Sequence, residues 1–281
     1  MVDTIVLATA ADQPDITDSD MLYAGALRRR GFEVSGAAWN GARAAFDGAA
    51  AVVLRSTWGY YRTLPEFRAW TEEMAASTRL FNPIGLVRWN LRKDYVGKLA
   101  TAGIRTPATR IVAREAADIE RVFDETGWRR AVVKPATGGG GHSVELLTRD
   151  TVAEAVPRLT AGDVLVQEFL PEIAEGELSM VYFDGIFSHA IRKRPAEGEF
   201  RSNARYDPTR TAETPAGEIA EQGAAALRVL PEMPLYARVD GVVRDGSLIV
   251  IEVEVLEPAL FMEFDPPAAE RFAEATVRRL L

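Results

Sequence analysis

Residues 236–254 restrict what this chain can fold into more than any other part of the sequence. Two runs rich in β-branched residues are joined there by Asp245-Gly246, a pattern typical of a β-hairpin. Four charged residues interrupt the two runs, and they are Arg238, Asp240, Glu252 and Glu254. Because successive side chains of a strand point to opposite faces, the two charged residues of each run share one face of their strand.

The length of the turn decides whether the two charged faces coincide. A two-residue turn, Asp245-Gly246, would place Asp240 on the face opposite the two glutamates. A three-residue loop over residues 244–246, with Gly246 in the left-handed region, places all four charged groups on one face. We predict the three-residue loop.

Three carboxylates on one face of an apolar hairpin are costly unless a cation lies between them. Hard divalent cations such as Mg²⁺ take carboxylate oxygens, and they usually share them with nucleotide phosphates. The hairpin therefore predicts a metal site at Asp240, Glu252 and Glu254. The alternative is a surface hairpin whose solvated face is acidic, as is common in antiparallel sheets.

The use of lysine is a second informative feature. Of the 33 basic residues only four are lysines, and they are Lys93, Lys98, Lys134 and Lys193. A site that needs a compact ammonium group resists replacement by arginine, because a guanidinium has a different shape and different donors. We expect about three of these four lysines to be functional.

Composition excludes several classes of protein. The net charge of −8 and the lack of a basic block argue against a nucleic-acid-binding protein. No apolar run approaches the ~20 residues that span a bilayer, and the start of the chain lacks the layout of a signal peptide. The chain has no cysteine, which excludes disulfides and thiolate chemistry and fits a cytoplasmic protein. A homodimer is the commonest default for such a protein.

The first 88 residues alternate between strand and helix patterns. Strands are predicted over residues 5–9, 32–34 and 51–54, and a helix capped by Asp18 or Ser19 runs through Leu27. A second helix is predicted over residues 65–74. Strands that alternate with helices indicate a parallel α/β lobe.

The strand over residues 51–54 is followed by a short polar and aromatic segment. Ligands of open α/β sheets lie beyond the carboxyl ends of the strands. The segment therefore supplies candidate substrate-binding residues, which are Arg55, Ser56, Thr57, Trp58 and Tyr60. The alternative is that the aromatic residues pack beneath a loop.

Four consecutive glycines, residues 138–141, follow a strand predicted over residues 131–135. Such a loop can approach phosphate groups closely and offer several backbone N–H groups. It is not a Walker loop, because Lys134 precedes the glycines and no helix opens with Gly-Lys-Ser/Thr. The sequence favours a flexible hairpin lid over a nucleotide, and the alternative is a mobile surface turn.

Helices are also predicted over residues 90–102 and from Phe261 onward.

The order of these parts resembles the ATP-grasp superfamily over residues 88–265. The resemblance depends on an ordered set of short motifs: Arg92-Lys93, Val133-Lys134-Pro135, Gln167-Glu168-Phe169-Leu170, Gly176-Glu177-Leu178-Ser179, Gly198-Glu199-Phe200-Arg201-Ser202-Asn203, Arg238-Val239-Asp240 and Glu252-Val253-Glu254. The run over residues 198–203 is similar to that of RimK-type glutamate ligases, and Arg-Val-Asp resembles the Arg-x-Asp of D-alanine–D-alanine ligase. The first lobe resembles proteins grouped with O-ureidoserine cyclo-ligase.

The resemblance implies an α/β chain in which a parallel N-terminal lobe precedes two α+β lobes that clamp ATP. It implies an N-terminal domain over residues 1–88 and a central subdomain with the glycine-rich lid over residues 89–166. A C-terminal subdomain with the metal site follows over residues 167–281.

The resemblance also implies a set of nucleotide-binding residues. Lys93 and Lys134 would reach the α- and β-phosphates. Gln167, Glu168 and Leu170 would hold the adenine, and Glu177 would hold the ribose hydroxyls. The full set comprises Lys93, Lys134, Gly139, Gly140, Gly141, Gln167, Glu168, Phe169, Leu170, Glu177 and Asn203.

For catalysis, the resemblance implies that Lys193 and Arg201 contact the γ-phosphate or acyl-phosphate and that Arg238 faces the tetrahedral oxyanion. Asp240, Glu252 and Glu254 would hold one or two Mg²⁺, with Mn²⁺ as an alternative ion. The family usually has Glu-x-Asn where this chain has Glu-Val-Glu, so the site carries one additional negative charge.

The function so implied is that of an ADP-forming carboxylate–amine ligase that works through an acyl-phosphate. Its partners would be a small-molecule carboxylate, such as an amino acid or small peptide, and an amine, and its product a linear amide or a ring. Two alternatives remain open: a kinase-like phosphotransferase of the same fold, and a nucleotide-binding protein without turnover.

Overall fold

The computed structural model describes residues 2–281, and its first four strands form a parallel sheet. They are β1 (Thr4–Thr9), β2 (Glu33–Ala38), β3 (Ala51–Leu54) and β4 (Arg79–Phe81). The strand order is β2-β1-β3-β4, and the helices of this lobe are α1 (Asp18–Arg29) and α2 (Leu64–Ser77). The predicted parallel α/β lobe is confirmed. The short strand β4 was not predicted, because three residues give too little periodicity.

Helix α1 begins one residue earlier than predicted. Its N-cap is Thr17, whose hydroxyl accepts a hydrogen bond from the backbone N–H of Asp20. Asp18 and Asp20 lie in the first turn, where carboxylates stabilise the positive end of the helix dipole. The predicted caps, Asp18 and Ser19, are therefore the first residues of the helix itself.

The predicted single helix over residues 90–102 is wrong. Two helices occupy this region, α3 (Ile84–Asn90) and α4 (Tyr95–Thr101). In the break between them, the backbone N–H of Lys93 donates to the carbonyl oxygen of Ala136, 2.8 Å away. This tertiary hydrogen bond replaces a bond within a helix and brings Lys93 to the end of the next sheet.

The second sheet is antiparallel, with strand order β5-β8-β6-β7. Its strands are β5 (Thr109–Val112), β6 (Ala131–Pro135), β7 (Glu145–Leu147) and β8 (Val164–Glu168). Helix α5 (Ala116–Thr126) and the short helix α6 (Val152–Ala155) cover it. Because β8 continues to Glu168, the predicted domain boundary at residue 166 falls within this strand.

The third sheet is also antiparallel, with strand order β11-β10-β9-β12-β13. Its strands are β9 (Glu177–Phe183), β10 (Ile186–Arg194), β11 (Thr209–Glu213), β12 (Tyr236–Arg244) and β13 (Ser247–Glu254). Helix α7 (Gly217–Leu227) packs on one face, and every residue of β9 is buried. Strand β11 was not predicted.

The last helix, α8 (Ala268–Leu280), returns to the first lobe and packs against α1. The ring of Phe272 stacks on Tyr23 with 3.8 Å between centroids and on Phe183 with 4.7 Å. The helix was predicted to begin at Phe261. It begins later because the backbone around Pro266-Pro267 cannot continue a helix from the preceding residues. Among residues 2–281, no helix has both the length and the apolar character needed to cross a bilayer.

Candidate active site

A cleft of about 570 Å³ is lined by residues of all three sheets and their loops. Tyr60 comes from the first lobe, Lys134 and Gln167 from the second sheet, and Asp240 and Glu252 from the third. Most of the residues predicted as functional therefore lie around one cavity, which we call the cleft.

The predicted three-residue loop of the β12–β13 hairpin is wrong. Arg244 pairs with Ser247, so the turn has two residues. Asp245 and Gly246 have φ of 53° and 70°, as a tight turn with two left-handed residues requires.

A β-bulge restores the predicted common face. Asp240 pairs with Glu252, but the next residue, Gly241, pairs with Val250, so β13 carries one additional residue at this point. An additional residue reverses the alternation of the strand. The predicted gathering of charged groups is thus confirmed, although the cause is the bulge and not the loop.

Three carboxylates meet on this face. Ligand oxygens of Asp240, Glu252 and Glu254 all lie within 4.8 Å of one another. Burial, together with the two neighbouring carboxylates, raises the pKa of Glu254 to about 7. Such a group of hard oxygen donors, of which Glu254 lacks full compensation for its charge, fits a divalent cation such as Mg²⁺.

Arg238 is held between two of these carboxylates. Its Nε lies 3.0 Å from both oxygens of Asp240, and its Nη2 lies 2.5 Å from Glu254 Oε1. Burial opposes ionisation of Asp240, but Arg238 and Lys193 outweigh it and lower the pKa of Asp240 to about 2. The guanidinium is therefore fixed in direction within the cleft.

The three lysines of the cleft have different partners. Lys93 forms an ion pair with Glu252, and Lys193 Nζ lies 3.2 Å from Glu177 and 3.5 Å from Asp240. Burial lowers the pKa of Lys134 to about 8. Lys98, on α4, does not line the cleft, so three of the four lysines lie around it, and their functional roles stay predictions.

The sequence analysis missed two buried asparagines that position β12 and β13. Asn90 Nδ2 donates to the Val253 carbonyl oxygen at 2.7 Å, and its Oδ1 accepts from the N–H of Val255 at 3.0 Å. Asn82 Nδ2 donates to the carbonyl oxygens of Tyr236 and Val255 at 2.8 and 2.9 Å, and its Oδ1 accepts from the N–H of Leu235 at 2.6 Å. Their only sequence signal is a polar side chain at an otherwise apolar helix end or strand end.

The glycine loop is in contact with the polar loop around residues 199–206. The hydroxyl of Tyr206 donates to the Gly141 carbonyl oxygen at 3.1 Å. Arg201 Nη1 donates to the carbonyl oxygen of Val144 at 3.1 Å, and its other nitrogens bond Glu199. Arg201 therefore joins the two loops, a contact that the predicted role at the γ-phosphate did not include.

The residues predicted to hold adenine and ribose also line the cleft. Gln167 Nε2 donates to Thr109 Oγ1 at 2.9 Å, and Arg130 lies 4.3 Å above the ring of Phe169. Glu177 accepts from Ser202 and is paired with Lys193. The cleft is also lined by Glu168, Leu170 and Asn203 and by the glycines Gly139, Gly140 and Gly141.

The predicted substrate segment is divided. Trp58 and Tyr60 line the cleft. Arg55 does not, because its Nε donates to Asp20 Oδ1 and its Nη2 to the Pro258 carbonyl oxygen, each at 2.8 Å. Ser56 and Thr57 are buried and also lie outside the cleft lining. Contrary to the prediction, these three residues are buried outside the cleft lining, and Arg55 joins the first lobe to the segment that follows β13.

Comparison with known families assigns both parts of the chain. Residues 5–82 match the N-terminal domain of D-cycloserine synthetase DcsG, and residues 97–263 match the ATP-grasp domain of prokaryotic glutathione synthetase. The chain is 34% identical to the cycloserine biosynthesis protein DcsG of Streptomyces lavendulae, over 82% of this chain and 83% of that protein. It is 29% identical to the glutathione synthetase of Parasynechococcus marenigrum, over 73% of this chain and 66% of that protein.

Solved structures agree with this assignment. The crystal structure of D-cycloserine synthetase DcsG superposes with a TM-score of 0.89 at 30% identity, covering 99% of this chain and 100% of that chain. D-alanine–D-alanine ligase from Bacillus anthracis shares the fold, with a TM-score of 0.70 at 16% identity over 100% of this chain and 97% of that one.

The fold and the site define an ATP-dependent ligase. The chain belongs to the ATP-grasp family of carboxylate–amine ligases, and within it the chain is similar to the cycloserine biosynthesis protein DcsG along most of its length. The predicted fold class and enzyme class are confirmed.

Proposed function

We propose that this protein uses ATP to activate the carboxylate of an amino acid and then closes a ring onto a nitrogen of the same molecule. In the first step a carboxylate oxygen attacks the γ-phosphorus of ATP, which gives an acyl-phosphate and releases ADP. In the second step the nitrogen attacks the acyl carbon, the C–N bond forms, phosphate leaves and the nitrogen loses a proton.

One observation carries the proposal: three lysines and Arg238 converge with three carboxylates in a single cleft. Phosphoryl transfer needs positioning and charge neutralisation more than covalent chemistry by the protein. A binding protein without turnover would not need so many buried charges on the side of the cleft that faces the acyl acceptor.

The charged residues around the carboxylate cluster of Asp240, Glu252 and Glu254 have distinct proposed roles. Lys93 and Lys134 hold the α- and β-phosphates, and Lys193 and Arg201 stabilise the transferred phosphoryl group. Asp240, Glu252 and Glu254 would hold one or two Mg²⁺, which neutralise charge on the phosphates. Arg238, which two carboxylates fix in place, donates to the oxyanion of the tetrahedral intermediate.

Ring closure is favoured over joining two molecules by the similarity to D-cycloserine synthetase DcsG, which covers both the first lobe and the ATP-grasp part. The first lobe contributes Trp58 and Tyr60 to the cleft. This lobe therefore supports the choice of substrate, while the second and third sheets supply the chemistry.

The proposal is tested by measuring ADP release with O-ureidoserine and a panel of amino acids, with and without hydroxylamine. Hydroxylamine converts an acyl-phosphate into a hydroxamate, so a hydroxamate supports a ligase. ADP release with a stable phosphorylated product and no hydroxamate supports the kinase-like alternative. If no carboxylate of the panel supports ADP release, the proposal is contradicted.

Asp240→Asn tests the charged cluster directly. We expect a loss of ADP release of at least about 100-fold, because the variant weakens the cation site and leaves Arg238 and Lys193 undercompensated. The matched control is Asp245→Asn, an exposed residue at the tip of the same hairpin, which should retain full activity. Full activity in Asp240→Asn would contradict the metal assignment.

The division into three domains, the cytoplasmic location and the homodimer stay predictions of the sequence.

A further inference from the structure

Glu257 is a carboxylate of the cleft that neither the proposed metal cluster nor the phosphate-binding lysines use. It lies three residues beyond Glu254, in the segment that leaves β13. Its side chain lines the cleft and is half-buried. The carboxylate cluster within 4.8 Å is formed by other residues, so Glu257 stands apart from it.

One oxygen of Glu257 has no partner. Its Oε2 is enclosed, and no atom of residues 2–281 makes a hydrogen bond to it. A buried carboxylate without a hydrogen-bond partner is costly, and native structures keep such groups where a ligand or ion completes them. In its ionised form the carboxylate only accepts hydrogen bonds, so a ligand that completes it in that form must supply a donor.

The surroundings of Glu257 come from the glycine loop and from the aromatic segment of the first lobe. A Cβ built on Gly139 would lie 3.4 Å from Glu257 Oε1 and 3.8 Å from the ring of Tyr61, so the glycine loop covers this carboxylate. The indole N–H of Trp58 donates to the Glu257 backbone carbonyl oxygen at 3.4 Å. Glu257 is thus enclosed by the aromatic segment of the first lobe and the predicted lid.

Nearby charge points to a cationic partner. Burial, followed by the neighbouring charge of Glu254, raises the pKa of Glu257 well above its usual range. Lys93, Arg238 and Arg55 act in the opposite direction but do not overcome these two causes. An additional cation beside Glu257 would offset the penalty.

The path of the chain places Glu257 close to where the acyl group reacts. Arg238, the proposed oxyanion donor, bonds the carbonyl oxygen of Ala259 at 3.2 Å, two residues beyond Glu257. A small amino acid whose carboxylate reaches Arg238 could therefore present its ammonium group to this segment.

We propose that Glu257 is the specificity-determining residue that binds the ammonium group of the amino-acid substrate, between Trp58 and the glycine loop. The inference rests on the proposed function and narrows it, because it requires a substrate carboxylate that carries an amino group. A simple carboxylic acid of the same size leaves Glu257 without its partner.

The test compares O-ureidoserine with the analogue that has hydrogen in place of the α-amino group, at saturating ATP and Mg²⁺. In the wild-type protein we expect ADP release to favour the amino compound. In Glu257→Gln we expect the KM for O-ureidoserine to rise by about 10- to 100-fold, the loss typical of a hydrogen bond to a charged group. The preference for the amino compound should largely disappear, and Glu257→Asp, which keeps the charge, should restore part of it.

Two controls separate this role from others. Glu263→Gln changes an exposed carboxylate of the following segment and should keep wild-type constants. The KM for ATP and the Mg²⁺ requirement of Glu257→Gln should equal those of the wild type, and its thermal unfolding should show that it is folded.

Several outcomes would overturn the inference. If Glu257→Gln keeps both the wild-type KM and the wild-type preference, Glu257 does not bind the ammonium group. If the variant raises the Mg²⁺ requirement instead, Glu257 belongs to the metal site. If no amino acid supports ADP release by the wild-type protein, the proposed function is contradicted, and this inference is contradicted with it.

Discussion

Lys134 differs from the other lysines of the cleft, because within residues 2–281 it has no carboxylate oxygen within 4 Å. Lys93 and Lys193 are each neutralised by an acidic partner, whereas Lys134 is buried with only distant charges to compensate it. Its ammonium group is thus the one most available to an incoming phosphate. This difference between three apparently similar residues has a measurable consequence.

ATP affinity is expected to decrease above pH 8. Burial lowers the pKa of Lys134 from 10.5 to about 8, and phosphate binds its protonated form. Above that pH the affinity should fall by up to about tenfold per pH unit. Titration calorimetry with a non-hydrolysable ATP analogue between pH 7 and 9.5 measures this.

The matched controls are two conservative variants. Lys134→Arg keeps its charge throughout this range, so its affinity should be weaker overall but nearly independent of pH. Lys98→Arg, outside the cleft, should behave as the wild type. The stability of the protein should depend on pH in the opposite direction. Without ligand, the free energy of unfolding should rise between pH 8 and 10.5, because in that range Lys134 is protonated in the unfolded chain and neutral in the folded protein. A flat affinity profile in the wild type would contradict the assignment.

At the scale of elements, the bulge in the β12–β13 hairpin determines the site. Gly241 lies at the register shift, and a Cβ there would come within 2.4 Å of the Ile249 carbonyl oxygen. Only glycine permits this approach of the two strands. The bulge therefore depends on a residue that carries no chemistry of its own.

Gly241→Ala should displace the strands and separate Asp240 from Glu252. We expect a loss of ADP release of at least about tenfold and a free energy of unfolding lower by about 1–3 kcal/mol. Gly97→Ala in α4 is the control, because a Cβ there meets no atom within 4 Å and alanine favours helix. Wild-type activity in Gly241→Ala would show that the bulge does not position the cluster.

The glycine loop allows a comparison of adjacent residues. Gly140 and Gly141 both have positive φ, of 60° and 70°. A Cβ on Gly140 meets nothing within 4 Å, whereas one on Gly141 would lie 2.4 Å from Asn203 Oδ1. Gly141→Ala should therefore raise the KM for ATP more than Gly140→Ala, since both variants bear backbone strain but only one loses the contact between the loops. Equal effects would mean that this contact does not hold the loop.

The sequence predicted most of these elements, and its failures share a physical reason. Strands β1, β3, β6 and β8 and the acidic hairpin follow from local periodicity. The turn length and the break before α4 do not, because a tertiary bulge and the hydrogen bond from Lys93 to Ala136 override local preference. The sequence motifs identified most of the residues that line the cleft. They did not identify Asn82 and Asn90, which act through contacts distant in sequence.

For the whole molecule, Arg55 connects distant parts of the chain. It follows β3, pairs with Asp20 of α1, bonds Pro258 beyond β13 and lies 5.0 Å above the ring of Tyr236. A guanidinium with this many partners in the core is a structural residue, which is why it does not serve as a substrate ligand.

Arg55→Ala should lower the free energy of unfolding by about 3–5 kcal/mol, because it leaves Asp20 buried without its partner. Urea denaturation measures the change. The control is Arg62→Ala, since Arg62 and Asp12 form an exposed pair at 3.7 Å that should contribute less than about 1 kcal/mol. A small change in Arg55→Ala would show that the buried pair contributes little to stability.

Helix α8 supplies Phe272, Ala273 and Ala275 to the same hydrophobic cluster as Ile5 and Leu7. During synthesis the first sheet is therefore made long before the residues that cover one of its faces. This lobe should stay open to solvent until more than 270 residues have been translated, so the protein should fold late and as a unit, with chaperones protecting the exposed strands on the ribosome.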